Sequence, residues 1–283
     1  MKNLKKFSIM AFAAIFFFAA CKKDEDNATP NQNNPGEPQA QSMKVKMTDA
    51  PGDFEALNVT ITSVDAYIEG EGWINLNNDA QSMNVLSLTN GTETTIASQT
   101  NAKTGVYSKL RVKFDQDAKL QLNSTALIDF GGVILAGNTV QLGWMSTTSN
   151  EVEININEEV NASSGAEILL DFDVASSIEQ RTNEYVLNPT IKVMKNANTG
   201  VRGNVKGSSS SAIMLTDGQN SFSTFTDAQG NFMIRGVESG TYKLMVDAAA
   251  KTKSEVNKND DKVIDGVVIA NGEIKQMGTI TVE

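Results

Sequence analysis

The sequence predicts an all-β protein in which two consecutive β-sandwich domains follow a signal peptide and a disordered tether. From residue 43 onward, apolar and polar residues alternate over many short runs, as they do in strands that bury one face. Glycine, proline, asparagine and aspartate separate these runs, which is typical of turns. Only residues 85–88 and 175–180 have a pattern that suits a short helical turn. Many short strands without long helices favour β-sandwiches.

Residues 1–20 have the features of a secretory signal peptide. A basic start is followed by an apolar run over residues 7–20, which is shorter than the roughly 20 apolar residues that a membrane-spanning helix needs. Cys21 comes directly after two alanines and is the only cysteine of the chain. This arrangement resembles the lipobox of bacterial lipoproteins, and the resemblance implies cleavage before Cys21 and its lipidation with fatty acids such as palmitate. The alternative is a free or buried cysteine after an ordinary signal peptide.

The residues after Cys21 carry an address and then a tether, predicted over residues 21–42. Two lysines and three acidic residues at 22–26 resemble the signal that sends some Gram-negative lipoproteins to the exterior face of the outer membrane. The alternative is a solvated charge run on a protein that faces the periplasm. Residues 26–42 are rich in asparagine, glutamine and proline with few large apolar residues, which favours disorder.

Composition excludes several classes of function. The net charge of the chain is −10, and removal of residues 1–20 takes away three lysines, so the mature chain stands near −13. Such a charge argues against nucleic acid and anionic membrane surfaces as partners. The chain has no histidine, which removes Ser-His-Asp and Cys-His catalysis and the usual zinc sites. Carboxylate chemistry, a lysine base and a calcium site stay open. Since no motif singles out any of them, we predict no enzyme activity, no cofactor and no metal.

The first β domain is predicted over residues 43–195. Residues 57–68 predict a long strand, and its apolar positions change parity near Ser63, which predicts a β-bulge there. Pro189 interrupts the last apolar run, as proline does at a strand start or in an edge strand. The predicted strands cover residues 43–47, 57–68, 73–76, 106–114, 152–156, 168–174 and 186–194.

A polar linker at residues 196–200 separates the second β domain, predicted over residues 201–283. Such a short linker keeps two domains close together. Gly230 lies in a hairpin loop, where a positive φ is accessible to glycine. The predicted strands cover residues 201–205, 212–215, 221–226, 231–234, 242–246, 263–269 and 277–282.

Short sequence pieces in the first domain resemble a β-rich family of unknown function found in lipoproteins of surface-lipoprotein-rich bacteria. The set is specific, whereas each piece alone is weak, and the resemblance implies a fold without an established activity. The pieces are M-T-D-A-P at 47–51, G-W at 72–73, V-L-S-L-T-N-G at 85–91, G-V-Y-S-K-L-R at 105–111, L-D-F-D at 170–173 and Y-V-L-N-P at 185–189.

Three pieces of the second domain resemble the carboxypeptidase-regulatory-like, transthyretin-like sandwich. They are V-R-G-N-V at 201–205, T-D-A-Q-G-N-F at 226–232 and I-R-G-V-E-S-G-T-Y at 234–242. The loop where relatives often carry a proline-rich insertion is here a serine run at 208–211. The resemblance implies a carbohydrate-binding-like fold that serves most often as an accessory or spacer module.

Trp73 and Trp144 are the candidate residues for stacking on a sugar, because an indole offers a flat apolar face. The alternative is that either tryptophan caps the core of the sandwich. Lys109, Arg111 and Lys113 form a basic face on one predicted strand and are candidates for contact with an anionic glycan. Their alternative role is cross-strand ion pairing. The acidic partners considered for that pairing are Glu151, Glu153, Asp171 and Asp173.

Two acidic clusters and two tyrosines complete the candidates. Asp49 and Asp53 could bind calcium, but the Pro-Gly between them favours a plain turn. Tyr107 and Tyr242 are predicted to act as tyrosine corners that stabilise the fold. The second acidic cluster lacks calcium-loop spacing and is interpreted as a solvated loop. It consists of Asn257, Asn259, Asp260, Asp261 and Asp265.

These observations favour a non-catalytic, surface-anchored lipoprotein that binds a ligand, with carbohydrate as one candidate. The first alternative is a structural spacer or partner subunit of a cell-surface complex. The last is a carboxylate-based hydrolase, for which no pair of acidic residues stands out. The predicted partners are thus the membrane, through the lipid anchor, and a glycan or another surface protein.

Overall fold

The computed structural model confirms the all-β prediction. No helix among the described residues is long and apolar enough to cross a membrane. Cys21, most of the predicted tether, Asp53 and residues 257–261 lie outside the described residues. The described residues are 42–50, 54–122, 129–130, 133–134, 139–144, 150–160, 165–181, 184–206, 211–247 and 262–282.

The first region, residues 42–195, contains sixteen described strands, a 3-10 helix at Val85–Ser87 and a four-residue helix α1 at Val174–Ser177. The 3-10 helix lies within the predicted residues 85–88, whereas the turn predicted over 175–180 is helical only to Ser177 and continues as a strand from Ile178. The strands are β1 (Met43–Ala50), β2 (Ala56–Ile68), β3 (Gly72–Asn77), β4 (Gln81–Asn84), β5 (Thr94–Gln99), β6 (Gly105–Phe114), β7 (Lys119–Gln121), β8 (Asp129–Phe130), β9 (Val133–Ile134), β10 (Thr139–Gln141), β11 (Gly143–Trp144), β12 (Glu151–Val160), β13 (Ala166–Asp173), β14 (Ile178–Gln180), β15 (Tyr185–Leu187) and β16 (Ile191–Val193).

Two sheets enclose the core of this region. One has four strands in the order β16-β13-β1-β5. The other has seven, in which β10-β7-β2-β6-β12 are successively hydrogen-bonded and β3 and β4 also pair with β2. Their inner faces share one apolar cluster, which includes Met47, Ile61, Leu110, Phe114 and Phe172. The remaining strands form a small sheet, β11-β15-β14, and the pair β8-β9.

Strand β2 has the predicted β-bulge. Its register against β6 shifts between Ile61 and Ser63, so Thr62 is the extra residue. Before the bulge Val59 and Ile61 face the core, and after it Val64 and Ala66 do. The bulge therefore lets one long strand keep its apolar side inward along its whole length.

The predicted strand over residues 186–194 is instead two strands, β15 and β16, on either side of Pro189. Proline has no N–H to donate to a ladder, so pairing stops at this point. Strand β16 then joins the edge of the four-stranded sheet, as the edge-strand prediction requires.

The second region, residues 196–282, has two further sheets around a separate apolar cluster. The sheets have the orders β20-β17-β23 and β19-β18-β21-β22. The cluster includes Val201, Leu215, Phe232 and Leu244. The strands are β17 (Gly200–Val205), β18 (Ala212–Thr216), β19 (Ser221–Phe225), β20 (Asn231–Arg235), β21 (Gly240–Asp247), β22 (Lys262–Ile269) and β23 (Ile274–Ile280).

Each region has a tyrosine corner, as predicted. The hydroxyl of Tyr107 donates to the carbonyl of Lys103 at 3.0 Å, and that of Tyr242 donates to the carbonyl of Glu238 at 2.8 Å. In both cases the acceptor lies four residues earlier in the chain. Burial raises the pKa of both phenols, so each stays protonated and keeps its donor.

The two regions contact each other through the loop before β5, and we call this contact the junction. The side chain of Asn90 accepts a hydrogen bond from the backbone N–H of Met233 at 3.2 Å. Glu93 forms ion pairs with Arg235 and, at 3.3 Å, with Lys46. Lys46 points outward from the four-stranded sheet, so Glu93 links the outer face of that sheet to Arg235 of the second region.

Candidate functional site

The outer face of the seven-stranded sheet collects most of the predicted site residues. Alternation along β2, β3, β6 and β12 turns polar side chains away from the core, and the strand register aligns them in rows. This outer face consists of a first row of Trp73, Tyr67, Lys109 and Asn155, a second row of Asn75, Asp65, Arg111 and Glu153, and a third row of Ser63, Lys113 and Glu151.

Trp73 is half-buried and its indole is held from two sides. The ring of Tyr67 meets it edge-on, with 5.4 Å between the ring centroids and 75° between the planes. The guanidinium carbon of Arg111 lies 4.2 Å from the centroid of the indole, which is a cation–π contact. These contacts fix the orientation of the indole and make it a rigid aromatic surface.

Asp65 is the centre of the hydrogen bonds on this face. Its carboxylate accepts from Asn75 at 2.8 Å and from Arg111 at 3.0 Å, and it lies 3.4 Å from the ammonium of Lys113. Burial by itself raises the pKa of Asp65, but hydrogen bonds from Asn75, Arg111 and Ser63 outweigh burial and leave its pKa below the ordinary value. Asp65 is therefore ionised at neutral pH and holds Arg111 over Trp73.

The basic residues of β6 are paired across strands. Lys109 lies 3.5 Å from Glu153, and Arg111 lies 3.9 Å from Glu151, so two of the four acidic partners named from the sequence are in place. The other two, Asp171 and Asp173, are on β13 in the four-stranded sheet.

Sequence reasoning missed Asp65 as the main partner of this basic strand. The sequence did contain an indication of this partner. The parity change at Ser63 places Asp65 on the outward side of β2, opposite Arg111 of β6.

Trp144 is separate from this face. Its ring packs against Phe114 at 5.8 Å between centroids, and its indole N–H donates to the carbonyl of Gln116 at 3.0 Å. The ring is half-buried at the edge of the core, which matches the alternative that Trp144 caps the sandwich.

The acidic candidates for calcium are also apart from this face. Asp49 is buried at the end of β1, and Asp265 lies 3.4 Å from the ammonium of Lys243. Within the described ranges, no group of three or more acidic, histidine or cysteine side chains could hold a metal ion. The second member of the first pair, Asp53, lies outside those ranges.

The junction contains a cleft of about 300 Å³, whose lining includes Asp171, Lys192, Ser223 and Arg235. Arg235 serves the junction itself, since it binds Glu93 and donates to the carbonyl of Ala197. The outer face of the seven-stranded sheet is thus the better candidate, because it combines a rigid aromatic surface with ordered hydrogen-bonding groups.

Comparison with solved structures gives several weak likenesses. Three of them are the shaft pilin SpaA of Lactobacillus rhamnosus GG (6% identity, 86% of this chain and 98% of that chain, TM-score 0.21), the major pilin subunit BcpA of Bacillus cereus (12% identity, 86% and 70%, TM-score 0.22) and a Bacteroides ovatus protein with a proposed adhesin role (8% identity, 85% and 86%, TM-score 0.19). With TM-scores this low, we draw no functional conclusion from them. No curated protein matches the sequence.

The comparison with family models gives a direct assignment for the first region. The family described as a domain of unknown function, DUF4382, matches residues 41–189, close to the predicted domain of 43–195 and across all six sequence pieces. The resemblance of residues 201–242 to carboxypeptidase-regulatory-like domains stays a prediction. Since the match covers more than half of the sequence, the chain belongs to the DUF4382 family.

Proposed function

We propose that the chain is a non-catalytic lipoprotein, anchored in the outer membrane and facing the cell exterior, that binds carbohydrate through the outer face of its seven-stranded sheet. The observation that carries this proposal is the half-buried indole of Trp73, held in place beside Asp65, Asn75 and Arg111. A pyranose ring has an apolar face that fits an aromatic ring and hydroxyls that fit charged and amide groups. This combination of an aromatic surface and a few placed polar groups is typical of ligand sites.

The non-catalytic part of the proposal is supported by the state of Asp65. A general acid in glycoside hydrolysis needs a raised pKa, and the pKa of Asp65 is lowered instead. Its hydrogen bonds and ion pairs give it a positioning role toward Arg111.

The anchoring part is supported by the sequence around Cys21. A disordered tether of about 20 residues has a root-mean-square reach of about 25 Å, which would hold the first region clear of lipid headgroups. Cys21→Ala should release the protein from membranes, and metabolic labelling should put palmitate on the parent chain only. Retention of the Cys21→Ala protein in the membrane fraction would contradict the lipid anchor.

The binding part is tested with the mature lipoprotein, purified in detergent and applied to a glycan array. Trp73→Ala should weaken every glycan signal by about tenfold or more. Stacking on the indole needs to contribute only ~1.4 kcal/mol to binding for a loss of this size. Val268→Ala, which removes a side chain that is 57% exposed in the second region, is the matched control and should bind like the parent. If no glycan is retained, or if Trp73→Ala binds equally well, the proposal fails.

A second function, that of a spacer or partner subunit in a surface complex, is favoured by one observation. Val263 and Val268 are exposed on β22, which is an edge strand of its sheet. Exposed apolar side chains on an unpaired edge suit docking of a partner strand. Under this function, Val268→Lys should abolish cross-linking to a partner in intact cells, while Trp73→Ala should leave it unchanged.

A further inference from the structure

The outer face continues beyond the β-bulge of β2. Before the bulge, the outward residues of β2 are Asn58 and Thr60, and the neighbouring strands are β4 on one side and β7 on the other. These strands form a groove of about 390 Å³, which we call the lower groove. Its polar lining residues are Asn58, Thr60, Ser82, Asn84, Asp117 and Lys119.

The lower groove offers hydroxyl and amide groups. The hydroxyls of Thr60 and Ser82 lie 2.8 Å apart, and either can donate to the other, so the pair retains capacity for a further partner. The amide of Asn58 is exposed and makes no hydrogen bond within the described part of the chain. Such groups recognise hydroxyls by hydrogen bonding, whereas the aromatic rings described on this face, Trp73 and Tyr67, lie in its first row.

The two parts of the face lie along one strand. Tyr67 lies seven positions after Thr60, and one of these positions is the bulge at Thr62. At about 3.3 Å per paired residue the distance along the strand is about 20 Å. This length exceeds a single sugar ring and accommodates several linked ones. A short ligand can therefore occupy only one part.

The basic side chains of this face are paired with acids. Beside the pairs of the upper rows, the ammonium of Lys119 lies 3.2 Å from the carboxylate of Asp117. Each basic side chain of the three rows and of the lower groove therefore forms an ion pair with a carboxylate, and the chain as a whole has a net charge of −10. A neutral ligand fits such a face, whereas an anionic polymer would be repelled by the rest of the chain.

We propose that the outer face binds an extended, neutral polysaccharide along β2, with one sugar stacked on Trp73 and others hydrogen-bonded in the lower groove. This inference rests on the proposed function and adds the class of ligand and a second subsite. The occupant is a polysaccharide because the face pairs one aromatic surface with a row of groups suited to hydroxyls.

The test is calorimetry and affinity electrophoresis with the mature lipoprotein in detergent. The probes are neutral glucan, mannan, xylan and galactan, the disaccharide of each, chondroitin sulfate as an anionic polymer and unfolded casein as an extended polypeptide. At least one neutral polymer should bind, and it should bind at least about tenfold more tightly than its disaccharide. Chondroitin sulfate and casein should not bind.

The variant that isolates the lower groove is Asn58→Ala combined with Ser82→Ala. Both positions are exposed, so the fold should persist. The double variant should lose about tenfold in affinity for the polymer, as expected for two neutral hydrogen bonds, and none for the disaccharide. Thr241→Ala, an exposed strand hydroxyl in the second region, should change neither affinity.

The outcomes separate the two proposals. In one outcome, Trp73→Ala abolishes binding, but the double variant binds the polymer like the parent, or the parent binds polymer and disaccharide equally well. The lower groove is then not a subsite, and the proposed function survives. If no neutral saccharide binds at all, or if only casein or chondroitin sulfate binds, both proposals fail.

Discussion

The two sheets of the first region each turn a polar face away from the shared core, and the two faces differ in what lies against them. Lys46, on the four-stranded sheet, is joined through Glu93 to Arg235 of the second region. On the seven-stranded sheet, Arg111 is joined to Asp65, Glu151 and Trp73 of the same sheet. One face therefore takes part in the junction, whereas the other, which we call the open face, makes its ion pairs within its own sheet among the described residues.

The difference lies in the partners rather than in the residue types. Both faces contain a lysine–glutamate ion pair between neighbouring strands, Lys46–Glu167 on one and Lys109–Glu153 on the other. Both also have an acid whose pKa is lowered, Asp65 on the open face and Glu93 at the junction. Only the open face has an aromatic ring in the middle of its ion pairs. Ion pairs are present on both outer faces and do not distinguish them. We infer that the indole of Trp73 distinguishes the face that binds a ligand from the face that takes part in the junction.

The largest effect is expected from Asp65→Ala on the open face. The side chain of Asp65 is 10% exposed and that of Arg111 is 20% exposed, so removing the carboxylate leaves a largely buried guanidinium without its main partner. The free energy of unfolding should fall by about 2–3 kcal/mol, somewhat below the cost of breaking a fully buried pair. Urea unfolding at neutral pH measures this loss.

Asp65→Asn is the matched control, because an amide keeps the shape and some of the hydrogen bonds. Asp65→Asn should lower the free energy of unfolding less than Asp65→Ala does. Its free energy of unfolding should also fall less between neutral and acidic pH than that of the parent. The folded-state pKa of Asp65 is lowered, so its contribution is present above the unfolded-state pKa and is lost as pH falls through the folded value. A loss below about 0.5 kcal/mol for Asp65→Ala, as for an exposed surface pair, would contradict this description of the open face.

A smaller effect is expected at the junction from Gly91→Ala, compared with Gly70→Ala. The two glycines have nearly the same positive φ, 81° and 82°, so an alanine costs both positions about 1 kcal/mol of backbone strain. A Cβ at Gly91 would also collide with the sulfur of Met233 in the second region, whereas a Cβ at Gly70 meets nothing within 4 Å.

Gly91→Ala should therefore destabilise the protein by about 1 kcal/mol more than Gly70→Ala, since overpacking of a contact typically costs about 1–3 kcal/mol. Thermal unfolding of both variants under the same conditions measures the difference. Equal losses would mean that the Met233 contact yields freely and that the junction is not tightly packed at this point.

The smallest effect is expected from Glu93→Gln, also at the junction. The ion pairs of a half-buried glutamate with Arg235 and Lys46 should contribute about 1 kcal/mol. Burial by itself raises the pKa of Glu93, but the hydrogen bond and charge of Arg235, with those of Lys46, outweigh burial and lower the pKa.

The contribution of Glu93 is thus present above the unfolded-state pKa and lost as pH falls through the folded value. In urea unfolding from neutral to acidic pH, the parent and Glu93→Gln should differ at neutral pH and converge in acid. Glu159→Gln, at an exposed position of β12, is the control and should not change this profile. A difference that persists in acid would show that Glu93 acts through shape rather than charge.

Several features of the fold could be predicted because they depend on neighbouring residues along one strand. The parity change at Ser63 predicted the bulge of β2, and the alternation at Lys109, Arg111 and Lys113 predicted their shared outward face. Strands β4 and β7 were not predicted, because their sequences are short and contain few apolar residues. They become strands only because long β2 offers them a partner.

The candidate site was predicted in part for the same reason. Trp73 and Arg111 were recognised separately, but their contact arises from the register of β3 and β6 against β2, which no single strand determines. The junction could not be predicted, since Asn90 and Gly91 have the sequence of an ordinary turn. Their contacts with Met233 join residues that are more than 140 positions apart.

By itself, the sequence determined the all-β class, the inward and outward side of each long strand and the lack of an imidazole for catalysis. These follow from composition and from a period of two residues, which is a local property of an extended chain. The tertiary structure alone decided which outer face is linked to the second region and which one gathers Trp73, Asp65 and Arg111. The physical reason is that strand pairing and packing between regions join residues distant in the chain, and the free energy of those contacts is not encoded in any one segment.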